Sequence, residues 1–223
     1  PLRSSKKKIA MAKQETNNRT MGVLYGRALV QPTTIDQEAR EVDFVCATEK
    51  MVTRFSWDED YDEMLVCEAS AVRMDRANQG LPLSDCHNSY SVHSQVGRTV
   101  KVWINESRQL CARVRFSSRP EVAGLFQDVV DGIVKGISVG YEIYKFEREE
   151  RPNGARPIYR ATDWMPIEIS LAPVPADIDS GIRTGQQQHP VEIINKRITN
   201  TTTNMKKTRA TETGKTMEYV VEG

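Results

Sequence analysis

A mainly β fold with flanking helices, arranged as a small antiparallel β-barrel, is the architecture this sequence predicts. Three observations support it. Apolar residues alternate with polar ones in several short runs: Val42, Phe44 and Cys46; Val100, Val102 and Ile104; Leu110, Ala112, Val114 and Phe116; Ile137, Val139, Tyr141 and Ile143. Helical spacing occurs in two modest stretches, 69–78 and 121–134. The repeated strand–helix alternation of a doubly wound parallel sheet does not appear.

In chain order, residues 1–20 are polar without a sustained period and are expected to be disordered. The folded domain is expected over 21–182, and 183–223, rich in Gln, Thr and Asn, reads as a flexible tail or linker. A strand begins at Met21 to Val30, and Glu41 to Ala47 is the first firm strand. The acidic, aromatic stretch from Lys50 to Glu68 reads as a solvated loop in which Trp57 and Tyr61 pack while Asp58, Glu59, Asp60, Asp62 and Glu63 stay wet. It lacks the ordered ligand pattern and central glycine of an EF-hand. Pro82 argues against a central strand in Leu81 to His93, which reads as an extended edge or loop rim. Strands follow at Val96–Ile104 and Leu110–Phe116. Val122, Leu125, Phe126, Val129, Val130 and Ile133 then mark one helix face that ends near Gly132 and Gly136. From Ile137 the period changes to two. Glu147 to Pro157 is a charged hairpin tip with an Asn-Gly turn, Tyr159 to Trp164 is the return arm, and Ile167, Ile169 and Leu171 form a last strand.

The 223 residues suffice for one domain with a genuine core. No run of eighteen apolar residues and no charged leader followed by an apolar stretch is seen, so neither a membrane span nor a secretion signal is expected. Cys46, Cys67, Cys86 and Cys111 include no C-x-x-C pair, which disfavours a zinc site or disulfide framework and fits buried thiols in a reducing compartment. The net charge of +1 divides into +5 over 1–20, +3 over 183–223 and about −7 in the body. A nucleic-acid domain would concentrate positive charge on a folded face, so no nucleic-acid role is expected.

Ser138 follows a glycine as the first polar side chain of its strand. It is compatible with an ordinary strand serine or with a nucleophile. A serine nucleophile needs a base, and a histidine base needs a third group to fix its tautomer. His87 and His93 are the histidines of the body, and Asp163 and Glu168 are the nearby carboxylates. Glu168 lies between Ile167 and Ile169, where a charge is either solvent-facing or held for a purpose. Cys86 adjoins His87, and neighbours on an extended chain point opposite ways. Gly136-Ile137-Ser138-Val139-Gly140 matches the G-x-S-x-G nucleophile elbow, but that elbow follows a strand and opens a helix, the reverse of the order here.

Several ordered blocks carry a broader resemblance. They are Ala71-Val72-Arg73-Met74-Asp75-Arg76, Gly80-Leu81-Pro82-Leu83 leading to His87, Gly97-Arg98, and Ala112 to Phe116. Asp131-Gly132-Ile133, Ile137 to Tyr141, Trp164 to Leu171, and Pro175-Ala176-Asp177 complete them. Over roughly 40–182 the chain resembles the prohead (capsid maturation) serine proteases of tailed phages, a group related in fold to herpesvirus assemblin. Asn88 departs from the aspartate that usually follows the family's histidine. The resemblance implies a barrel of assemblin/prohead-protease type over 21–182, with Ser138 as nucleophile, His87 as general base and Glu168 as the third catalytic member, Asp163 remaining its rival. Backbone donors for the oxyanion would fall in the Leu171–Asp177 turn. It implies a serine endopeptidase, a hydrolase, that processes phage coat precursor or scaffold protein and can self-associate and cleave itself. It would work in the host cytoplasm inside the immature capsid, with no metal, cofactor, membrane or nucleic acid. The alternative from another class is a non-catalytic head-assembly or scaffold protein retaining the same fold.

Overall fold

The computed structural model describes residues 16–29, 34–56, 58–88, 90–172 and 189–196. The expectations for 1–15, for 197–223 and for the 173–177 part of the oxyanion turn lie outside these residues. The strands are β1 (Thr16–Met21), β2 (Leu24–Leu29), β3 (Ile35–Asp36), β4 (Glu41–Thr48), β5 (Val52–Arg54), β6 (Tyr61–Leu65), β7 (Pro82–Asp85), β8 (Gln95–Ile104), β9 (Gln109–Phe116), β10 (Gly136–Glu149), β11 (Ile158–Leu171) and β12 (His189–Lys196). The helices are α1 (Asp75–Gln79) and α2 (Pro120–Val130).

These strands join in one sheet with the order β1-β12-β10-β11-β7-β8-β9-β4-β3; β2 also pairs with β10, β6 with β11, and β5 with β6. The expected closed antiparallel barrel is not formed. The path has two ends, β1 and β3, and the β10–β12, β11–β6 and β11–β7 pairings are parallel. The reason lies in β10, which packs beside β4. One edge of β10 is held by β11; the other is taken by β2 along Gly136–Tyr141 and by β12 along Lys145–Glu149, leaving no edge on which β4 could close the sheet. The fold is mainly β with some helix, and open.

The hairpin of β10 and β11 organises the sheet, with Ile137 opposite Leu171 at one end and Glu149 opposite Ile158 at the other. Its tip holds Asn153 at φ 61° and Gly154 at φ 68°, the left-handed geometry that Asn-Gly accepts most readily. The two arms read separately in the sequence are one strand. Gly140 faces Glu168 and Tyr141 faces Pro166, so Ile167 is an extra residue in a bulge, beside which β11 tolerates a proline. Trp164 is fully buried, donates Nε1–H to the Val66 carbonyl at 2.9 Å and meets Tyr141 edge-on at 5.7 Å.

In α2, Pro120 opens the helix and Val122, Phe126 and Val129 are buried, with Phe126 against Phe116 at 5.2 Å. The helix stops at Val130, short of the expected Val134, because Gly132 turns left-handed at φ 69° and the Ile133 and Val134 N–H groups both return to the Asp128 carbonyl. Ile133 is consequently 72% exposed.

Three further expectations change. β7 is interior, between β11 and β8, since Pro82 is its first residue and its missing N–H costs no ladder bond there. The stretch read as a solvated loop contains β5 and β6, and Glu63 is 2% exposed. β1 and β12 pair with each other inside the segments read as disordered end and tail, and Val191 and Ile193 of β12 are buried.

Candidate functional site

The hairpin register sets out a polar row across the sheet. Ser138 of β10 faces Ser170 of β11, and Ser170 is level with Ser84 of β7. Directly opposed residues share a face with Cβ atoms about 4.5–5.5 Å apart. Two positions from Ser170 on the same face stands Glu168, opposite Gly140, so no cross-strand side chain competes for its place. Ser138, Ser84, Ser170 and Glu168 are all buried, Ser138 to 3% exposure. This face of β10 is therefore covered at Ser138.

His87 enters from the turn after β7. Its Nδ1 lies 2.6 Å from Glu168 Oε1; since a carboxylate oxygen accepts, the shared proton sits on Nδ1. The His87 backbone N–H donates to Ser170 Oγ at 2.7 Å, and the Ser170 hydroxyl donates to the Ser84 carbonyl at 3.0 Å. Both Cys86 (φ 49°) and His87 (φ 57°) are left-handed, a conformation costing a non-glycine residue about 1–2 kcal/mol. The turn is held by these bonds together with Cys86 N–H to the Leu171 carbonyl at 2.9 Å and Asn88 N–H to the Asp85 carbonyl at 3.0 Å. Backbone held against its preference in this way marks a place where side-chain position matters.

Of the sequence-predicted residues, then, His87 and Glu168 are brought into direct contact, and Ser138 joins the same buried row. Asp163 is elsewhere. It accepts a two-pronged bond from Arg73, at 2.6 Å to each oxygen, while the Arg73 guanidinium covers the Tyr144 ring at 3.8 Å. β11 places Glu168 against His87 and leaves Asp163 to an arginine. His93 lies in a one-turn helix beyond the site, its carbonyl accepting from Arg119. Sequence reasoning missed Ser170 and Ser84. The signal was available, because Ser170 is two residues from Glu168 in a strand and so must share its face.

Cys86 is exposed, yet partial burial, reinforced by the hydrogen bond and charge of Asp85, pushes its thiol up to about 11. A thiol raised that far is about 0.1% thiolate at pH 8. Iodoacetamide should accordingly label Cys86 slowly at pH 8, and the rate should climb as pH rises toward 11; rapid labelling at pH 7 would show that burial and Asp85 do not hold the thiol up.

No protein-family profile and no solved structure matches this chain. Among curated proteins, one named "Major capsid protein", from Halomonas phage phiHAP-1, is 35% identical over 126 residues, which are 56% of this chain and 21% of that protein. The chain spans about a fifth of the length of that relative. This corrects the resemblance to prohead proteases and what followed from it. The chain is similar to a protein named for a structural role, so membership of the protease family and the serine endopeptidase, hydrolase and proteolysis assignments do not stand. Among the described residues no group of His, Cys, Asp and Glu side chains is placed to hold a metal ion. In physical terms, the His–acid pair that suggested catalysis also has a task in the fold, since it fastens a left-handed turn to the sheet.

Proposed function

We propose that this chain is a folded segment of a phage head polypeptide that acts structurally in capsid assembly. The observation that carries the reading is the 35% identity with a phage major capsid protein over 126 residues. Its partners in this reading are coat polypeptides, including further copies of itself, and its setting is the assembling head in the infected cell. His87, Ser138 and Glu168 form the working cluster: Glu168, with Ser170, fixes the turn at 86–88 against the end of the β10–β11 hairpin, with Ser138 in the same buried row, so that the turn is presented to a neighbouring subunit in one conformation. An ordered presenting loop avoids the entropy of ordering it on contact.

Co-expression with the coat polypeptide of the same phage tests this, read by co-sedimentation of particles and intact mass of every chain. The chain is expected to sediment with the particles, all chains keeping their full mass, and Ser138→Ala is expected to assemble as wild type does. Truncation of the coat polypeptide that vanishes in Ser138→Ala would overturn the structural reading, as would a chain that never sediments with coat.

A further inference from the structure

Resting on that reading, we infer that the outer face of β8 and β9 docks an acidic polypeptide segment of a head partner. Two rows of charges cross this face. In one, Asp36 of β3, Glu41 of β4, Arg115 of β9 and Arg98 of β8 stand side by side; in the other, Asp43, Arg113 and Lys101 do. The acids are gathered on one side and the bases on the other. Arg113 grips Asp43 through Nε and Nη2 at 2.6 and 2.8 Å, and Arg115 grips Glu41 at 2.9 and 2.5 Å. Those two carboxylates are thereby covered, at 11% and 13% side-chain exposure, whereas Arg113 and Arg115 remain 45% and 57% exposed. Solvent meets a basic surface.

Among the described residues no carboxylate forms an ion pair with the β8 cations, although Asp43 feels the Lys101 charge from beyond Arg113. The Lys101 ammonium lies over the Trp103 ring at 5.2 Å. Arg98 donates to the Gln79 carbonyl at 3.2 Å, its guanidinium resting on Gly80, where a Cβ would come within 2.4 Å of Nη2. The glycine therefore leaves room for a guanidinium held in place and exposed. Arg98 faces Arg115 and Lys101 faces Arg113 directly across the ladder. Like charges set opposite one another destabilise a strand pair. A fold keeps such a pair at no structural gain; carboxylates laid along the two columns would relieve it. Val100, turned out by the irregularity between Thr99 and Lys101, adds a 49% exposed apolar contact beside them. An acidic peptide suits this surface better than nucleic acid, because the basic columns are short and one row ends at the exposed Asp36, which would repel a continuous line of phosphates while a peptide spaces its charges.

The test needs no particles, so its failure is separable from failure of the assembly reading. Binding of the full chain is measured by fluorescence anisotropy to a labelled peptide of alternating Glu and Ala, to its Gln–Ala counterpart, and to a single-stranded DNA of similar length. The acidic peptide is expected to bind, the neutral one at least tenfold more weakly, with affinity falling as salt is added. Arg98→Gln/Lys101→Gln is expected to lose about tenfold in affinity with an unchanged or slightly raised Tm, because it removes the like-charge pairs. Equal binding of both peptides, tighter binding of DNA, no binding at all, or a double variant that binds as wild type would each overturn the inference. A fall in Tm of several degrees in the double variant would do so as well, by showing that the two cations serve the fold.

Discussion

Arg54→Met is expected to destabilise the protein by about 3–5 kcal/mol, because it strands a buried carboxylate. Arg54 donates from Nε and Nη2 to Glu63 Oε1, at 3.3 and 3.0 Å, and from Nη2 to the Tyr141 hydroxyl at 2.6 Å; that hydroxyl in turn donates to Glu63 Oε1. Glu63 is 2% exposed and Tyr141 fully buried. Burial pushes the Tyr141 phenol well above its usual value, so it stays a donor. Glu63 Oε2 is buried without a partner, beside a cavity of about 20 Å³ lined by Thr48, Lys50 and Val52, room enough for one water. With the guanidinium gone, the charge on Glu63 keeps one strong donor. Replacing both charges, as in Arg54→Met/Glu63→Leu, should return most of the loss, and adding Tyr141→Phe should return more by removing the orphaned hydroxyl. Urea midpoints at constant slope give the comparison. A single variant within 1 kcal/mol of wild type would mean that the trio does not hold β5 and β6 to β10.

That network also shows where the sequence stops being informative. β8 and β9 were legible because each buries one face and exposes another for part of its length, and β4 and β10 because apolar side chains recur at every second residue, although neither has a fully exposed position. β6 buries Glu63 among Tyr61, Met64 and Leu65. Its acidic character hid a strand whose charge is answered by an arginine seven residues earlier than Tyr61 and by a tyrosine on β10. β1 and β12 escaped for a different reason. β12 is anchored by Val191 and Ile193, by His189 Nε2 on the Ile143 carbonyl at 2.7 Å, and by its ring against Tyr144 at 5.1 Å, too few apolar residues to mark a strand among polar neighbours. Barrel closure was beyond reach because it depends on which strands occupy the edges of β10, a question of long-range pairing.

At the site, residue types were legible and their purpose was not. His87 and Glu168 were picked out because a histidine and a strand-bound carboxylate have few ordinary reasons to be where they are, and they do meet. The resemblance supplied a catalytic meaning for them that similarity to a capsid protein does not support. Short matching blocks describe a local arrangement of strand, turn and polar side chain. They do not say whether the arrangement performs chemistry or braces a loop.

The residue that sequence reasoning passed over is expected to matter most for that loop. Ser170→Ala should cost about 2–4 kcal/mol, since one hydroxyl serves two buried backbone groups, accepting from the His87 N–H at 2.7 Å and donating to the Ser84 carbonyl at 3.0 Å. Ser170 is fully buried, so water cannot replace it without a shift of the turn. Cys86 and His87 would then hold their left-handed conformations with one fewer tie, and amide exchange at 86–88 should accelerate well beyond the global change. Cys86→Gly in the same background should return about 1 kcal/mol, because glycine accepts φ 49° without the Cβ penalty. Ser138→Ala leaves both bonds of the Ser170 hydroxyl in place and should cost less than Ser170→Ala. If Ser170→Ala unfolds at the wild-type urea midpoint with unchanged exchange at 86–88, the hydroxyl is not what fastens His87 to the sheet.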